Sequence, residues 1–236
     1  MKSKILFAAL ILFFYSFNAF GQTTEPVKPA MGTASFGFYG GVNFQNINGN
    51  HVDGSKLDNS LVTRFHGGIN EQIPVAPEFF IQIGLQYTGK GTKGQVNYYN
   101  DPSEIREVSL HYVDMPINFL YKPLVGKGHF LLGFGPYVGY AFGGKAKFEG
   151  NSYTAEQNIL FANDINESNP NDLVYFKRLD VGANAFFGYE FANRLNMVFN
   201  TQLGLVNINS KNSGISNSKL SEMNTGFGLS LGYRIN

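Results

Sequence analysis

Cysteine is absent from the chain, which removes disulfides, thiolate catalysis, Cys-based zinc sites and the lipidated cysteine of a bacterial lipoprotein. Charge is scarce. Lys and Arg number 18 and Asp and Glu 17, so charged residues make up 15% of the chain and the net charge is +1. Soluble domains usually carry about 25% charged residues. So small a net charge gives no reason to expect nucleic acid or another polyanion as partner. Long apolar runs are confined to the N-terminus, and nothing after it approaches the ~20 continuous apolar residues of a spanning helix. Histidines are few, and His51, His66, His111 and His129 have no spacing that would set two of them on one metal. Neither a metal site nor a cofactor is expected.

Aromatics and glycine are abundant instead: 23 Phe, 13 Tyr and 28 Gly, with no Trp. Many aromatics and few charges suit a β-rich protein that meets lipid. The first residues read as a secretory signal: "MKSK" is a basic n-region, "ILFAALILFF" an apolar h-region, and Ala19 and Gly21 form a plausible cleavage site. The expected organisation is a signal peptide over 1–21, a polar leader over 22–34 and a barrel domain over 35–236.

Eight runs with a period of two follow the leader. In the first, Phe36, Phe38, Val42 and Phe44 oppose Gly37, Tyr39, Asn43 and Gln45. In the sixth, Leu179, Val181, Ala183, Ala185 and Phe187 oppose Asp180, Gly182, Asn184, Gly188 and Glu190. The eighth sets Phe227, Leu229, Leu231 and Tyr233 against Gly228, Ser230, Gly232 and Arg234. A soluble sandwich also alternates. Here, however, the polar face is built of Gly, Asn, Gln and scattered charges of both signs. Such a face suits a narrow lumen in which side chains must fit together. The connections alternate too. "PVAPE", "PLVGKG" and "ANR" are short, and four others are long. Outer-membrane barrels have short periplasmic turns and long extracellular loops. The fold expected is therefore all-β: an eight-stranded antiparallel up-and-down transmembrane barrel in the outer membrane.

An eight-stranded barrel is just wide enough for its side chains to fill. In "HYVDMPINFLYK" Asp114 points into that lumen, with Asp180 and Glu190 as further inward acids. Arg64, Lys90, Lys122, Arg178 and Arg234 are the inward cations, and Arg178 or Arg234 is expected to pair with Asp114. A buried charge must be paired and hydrogen-bonded. The set Arg64, Asp114, Arg178, Asp180, Glu190 and Arg234 thus reads as a structural lumen network, and no catalytic residue is assigned. Pro116 lacks a backbone donor and predicts a bulge or break in the ladder. The lysines of "GKGTKG" could touch lipopolysaccharide phosphates. "DINESNPND" lacks EF-hand spacing and reads as a polar loop. "YTAEQNILFAND" predicts one short helix. His51 with Asp53 and Ser55 could be half of a catalytic set, but nothing fixes the geometry.

"HYVDMPINFLYK", followed by "GFGPYVGYAFGG", resembles the paired signature of the PorT-like outer-membrane β-barrel family. The residues that carry it are Asp114, Pro116, Gly135, Pro136 and Tyr137. "GGVNFQNING" and "LGYRI" resemble that family's first and last strands. The resemblance implies a small barrel in the outer membrane of a Gram-negative bacterium, with no assigned activity for most members and one branch linked to protein secretion. The partners expected of such a barrel are outer-membrane lipid, lipopolysaccharide and a protein at the extracellular loops or periplasmic turns. The function expected is that of a structural or interaction protein that displays its extracellular loops, linked to a secretion or surface complex, and an outer-membrane enzyme or a narrow conduit using loop or lumen polar residues is the alternative.

Overall fold

The computed structural model describes residues 32–95, 104–151, 153–165, 174–212 and 219–235. The proposed signal peptide and most of the leader lie outside these residues, as does most of "DINESNPND". Eight long strands form the frame: β1 (Ser35–Asn50), β2 (Val62–Ala76), β3 (Phe79–Gln95), β4 (Ile105–Tyr121), β5 (Gly128–Glu149), β6 (Leu179–Glu190), β7 (Leu195–Gly204) and β8 (Ser221–Ile235). Each pairs antiparallel with its neighbours in sequence, and β8 pairs with β1. The sheet therefore closes on itself and leaves no long edge open.

The strands form because their alternation matches two different surroundings. Outward positions hold exposed Phe65, Phe134, Tyr140, Phe187, Leu229 and Leu231, whereas the inward Asn43, Gln45, Asn70, Gln72, Asn118 and Ser230 are buried. Inverted polarity of this kind is what a lipid-facing barrel requires. Aromatic side chains tie neighbouring strands together on the outside. Phe44 meets Phe227 at 5.3 Å, Phe227 meets Phe199 at 6.1 Å, and Phe199 meets Phe187 at 5.3 Å between ring centres. Each such pair adds about 0.5–1.5 kcal/mol beyond area burial.

The tight connections lie at one end. Pro77 and Glu78 join β2 to β3, and residues 191–194 join β6 to β7. Glu78 and Arg194 adopt positive φ angles of 64° and 68° there. Pro116 interrupts the β3–β4 ladder without shifting it. Ile83 faces Ile117 and Gln86 faces Asp114, with the two positions between left out of the pairing. The one-residue shift in β4–β5 occurs elsewhere, between His111 and Tyr112.

One expectation fails at the long-loop end. "YTAEQNILFAND" forms no helix: Thr154–Asn158 pairs antiparallel with β5, and Leu160–Phe161 pairs in parallel with Tyr175–Phe176. Strands β3, β4 and β5 also run further than alternation of apolar groups shows. Their polar ends pair as a ladder of opposite charges, with Lys93 opposite Glu107, Glu107 opposite Lys147 and Lys147 opposite Glu156. Such cross-strand pairs hold a sheet together in water.

The loops at this end also form a lid. Ile159, Phe176 and Ile208 are buried against Ile47, Val108, Leu110, Tyr112, Ala141 and Ala146 of the strands. Ile159 donates its backbone N–H to Gly144, Lys177 to Ile208, and Ile208 to Glu222. At the short-turn end a smaller apolar plug of Phe80, Leu120 and Leu131 occupies part of the lumen, with Phe186 and Val198 against it.

Candidate functional site

Between lid and plug the lumen is polar, and its densest chemistry is an ionic layer centred on Lys90. The β4–β5 and β5–β6 registers place Asp114 and Asp180 opposite the same residue, Gly139. A side chain at 139 would collide with Asp114, since a Cβ there would lie 2.3 Å from Asp114 Oδ1. The glycine therefore makes room for the Asp114 carboxylate, and Lys90 reaches between the two acids. Its Nζ lies 3.2 Å from Asp114 Oδ2 and 2.9 Å from Asp180 Oδ2, with all three side chains fully buried. The ammonium also sits over the rings of Tyr112 and Tyr137, 4.6 Å and 4.5 Å from their centres. Desolvated cation–π contacts of this kind contribute about 2 kcal/mol.

Neutral groups complete the layer. Tyr137 Oη donates to Asp180 Oδ2 at 3.1 Å and Asn224 Nδ2 to the same oxygen at 2.9 Å. Gln202 Nε2 donates to Asp114 Oδ2 at 3.1 Å. Tyr137 thereby belongs both to the quoted sequence signature and to the ion layer. The signature's Gly135 lies opposite Asn184, which donates to its carbonyl, and Pro136 is exposed.

The expected partners of Asp114 are corrected. Arg178 precedes the first residue of β6 and does not take a lumen position. It is exposed, donates to the Ala141 carbonyl and stacks on Tyr140 and Phe161. Arg234 lies at the short-turn end, 3.7 Å from Glu190, where Lys122 also contacts Glu190 at 2.8 Å and Gln72 at 3.2 Å. Arg64 is drawn to Glu107 at 2.9 Å and Ser109 at 2.7 Å near the long-loop end. The six named charges thus fall into separate groups, not one network, and Lys90 is the cation that joins Asp114 to Asp180. Full burial removes Lys90 from any contact with lipopolysaccharide.

Below the ionic layer lies a cavity of about 100 Å³ to which all eight strands contribute side chains. Amides are the largest group in its wall, among them Asn43, Gln45, Asn70, Gln86, Asn118 and Gln202, and Phe38, Leu131, Phe186 and Val198 also line it. His66 lines it and shares a 2.6 Å hydrogen bond with Ser230, whose Oγ also accepts from Asn200. This excess of amides over charges shows in the sequence. The cavity does not, because it depends on how eight strands converge.

The loop set His51, Asp53 and Ser55 makes no catalytic arrangement. Asp53 Oδ1 accepts from both the backbone N–H and the hydroxyl of Ser55. Those bonds, with a smaller contribution from His51, hold the Asp53 carboxyl below the usual carboxylate range. Asp53 thus closes a local turn.

Comparison with known proteins bears on the frame more than on the site. No curated protein gives a significant match. Among solved structures, OprG from Pseudomonas aeruginosa is similar at 11% identity over 88% of this chain and 98% of that one, with a TM-score of 0.47. Ail, the attachment invasion locus protein of Yersinia pestis, in complex with the heparin analogue sucrose octasulfate, is similar at 12% identity over 86% and 100%, with a TM-score of 0.41. Neisserial surface protein A is similar at 10% identity over 86% and 99%, also at 0.41. A family model described as the outer membrane protein beta-barrel domain matches residues 20–210. With its closed eight-stranded ring and apolar exterior, the chain belongs to the outer membrane protein beta-barrel domain family and is located in the outer membrane.

Proposed function

We propose that this barrel is a display scaffold: a rigid, filled cylinder that presents its long connections at the cell surface to a protein partner, within a surface or secretion complex. The observation that carries this reading is the filling of the lumen. An apolar lid, a fully buried ionic layer and an apolar plug succeed one another along the barrel. Water-filled porins use about 16–18 strands, and eight leave no comparable channel. The resemblance to the PorT-like family, with its secretion-linked branch, supports placing the partner in such a complex. Lipopolysaccharide is the expected neighbour at the rim, and half-exposed Lys145 and Lys147 stand there as the cations available to its phosphates.

The test is site-specific photo-crosslinking on intact cells. A photoreactive residue at Val52 or Glu156, both in long connections, is expected to give protein or lipopolysaccharide adducts. One at Leu231 on the lipid face is expected to give no protein adduct. A correctly folded barrel with no adduct from any long connection would count against display. The second reading, a narrow conduit, is favoured by the lumen cavity, and its sign would be a steady ionic current.

A further inference from the structure

Strands β3, β4 and β5 rise past the closed ring as a small sheet, because β6 pairs with β5 only as far as Tyr140 while β5 runs on to Glu149. That sheet has two sides that the ring no longer closes. On the β3 side Asn59 and Ser60 pair with Gly94 and Lys93. Side chains then seal it: Asn46 donates to the Asn59 carbonyl, Asn59 to the Ile47 carbonyl and Thr92 to the Ser60 carbonyl. On the β5 side the outermost strand is Thr154–Asn158.

The backbone of that strand has a fixed sense. Tyr153 accepts from Gly150 and Ile159 donates to Gly144, so odd-numbered residues turn their N–H and C=O groups toward β5. Even-numbered residues turn theirs away. At Leu160 and Ala162 the outward N–H groups are taken up by the carbonyls of Val174 and Phe176. At Thr154, Glu156 and Asn158 no described residue takes them up, and all three residues are exposed. One edge thus accepts a strand along one half and stands open along the other. Natural edges are commonly blunted by Lys, Pro or a bulge. The segment "TAEQN" has neither Lys nor Pro, and its pairing with β5 runs without a register shift.

Charge decides what fits there. Glu156 ends the row Lys93, Glu107, Lys147 and Glu156, in which the sign alternates from strand to strand. Opposite charges facing each other stabilise a sheet and like charges destabilise it. The next strand of the row therefore takes Lys or Arg opposite Glu156. A second copy of this chain does not meet that requirement, because the same edge offers Thr154, Glu156 and Asn158 and no cation. An extended segment of another protein does: main-chain hydrogen bonds to an open edge give affinity, and alternate side chains give preference. The inference rests on the display reading above and names the chemistry of its partner. We propose that Thr154–Asn158 is a docking edge for an extended segment of a protein partner that bears Lys or Arg opposite Glu156.

The experiment uses the full-length barrel folded in detergent and two synthetic peptides, acetyl-Thr-Val-Thr-Lys-Thr-Val-Thr-amide and its counterpart with Glu at the centre. Hydrogen exchange at the Thr154, Glu156 and Asn158 amides is followed by NMR as each peptide is added. The Lys peptide is expected to slow exchange at these amides, and the Glu peptide to bind about 2–5-fold more weakly. The Lys peptide N-methylated at its lysine and both valines cannot donate to the edge and is expected to give no protection. In Glu156→Gln, an exposed substitution of the same shape, the two peptides are expected to bind equally. A preference that survives Glu156→Gln, equal protection by the N-methylated peptide, or protection that appears without peptide as the barrel is concentrated would overturn the proposal. Should a photoreactive residue at Val52 give protein adducts on cells while no peptide protects the edge, this inference falls and the display reading stands.

Discussion

At the scale of single residues, the molecule turns on which charge answers Asp114. Lys90 answers both Asp114 and Asp180, and that asymmetry sets an order of mutational effects. Lys90→Met leaves two carboxylates buried together without their cation. Breaking a buried pair in this way costs about 3–5 kcal/mol. Asp114→Asn leaves a neutral Lys90–Asp180 pair and is expected to cost about 1 kcal/mol, the scale of one hydrogen bond. Urea unfolding in detergent micelles measures both. A larger loss for Asp114→Asn than for Lys90→Met would mean that the layer has no excess of acid.

Gly139 gives a sharper residue-scale test. Asp114 is pinned by Lys90 and Gln202, so it cannot swing away from a new methyl group at 139 without losing a partner. Gly139→Ala is expected to destabilise the barrel in the wild-type background and to do little where Asp114 is already Ala. A double-mutant cycle reads that coupling. Equal losses in the two backgrounds would remove Gly139 from the layer.

At the scale of elements, the two faces of a strand should respond differently, and one face should respond by depth. Phe199 and Leu229 face each other near the middle of β7 and β8, whereas Leu203 is the residue before the long-loop end of β7. Leu229→Arg is expected to cost about 2–4 kcal/mol and Leu203→Arg about 0–1 kcal/mol, the gradient from bilayer midplane to interface. Folded yield into lipid vesicles checks the order. Equal losses at the two positions would contradict this placement of the strands in the bilayer.

The elements also show what could be read from sequence. Alternation identified all eight frame strands and their lipid face, because side-chain period and burial are local properties. Alternation reads Asp114, Asp180, Glu190 and Arg234 as inward for the same reason, and all four are buried. The pairing of charges was not legible. It depends on register, through which Gly139 brings two acids from different strands together, and on how far a lysine reaches across the lumen. Arg178 misled because alternation was carried one residue beyond the start of β6. The lid was hidden for a related reason. Ile159, Phe176 and Ile208 are isolated apolar residues in polar loops, and only tertiary contact shows that they share one cluster. The charged ends of β3 to β5 read as loop because polarity, not apolar alternation, marks strands that stand in water.

At the scale of the whole molecule, the short turns lie at one end and the long connections at the other. Tags inserted near Asn163 or Asn212 are expected to label on intact cells, and one at Asn193, in the turn between β6 and β7, is expected to label only after the outer membrane is opened. Labelling of Asn193 on whole cells would reverse the orientation. The most direct test of the filled-barrel account is conductance of the purified full-length protein in a planar lipid bilayer. A lumen filled by lid, ionic layer and plug predicts no steady current under applied voltage, whereas a stable ohmic current that grows with the number of inserted barrels would contradict it.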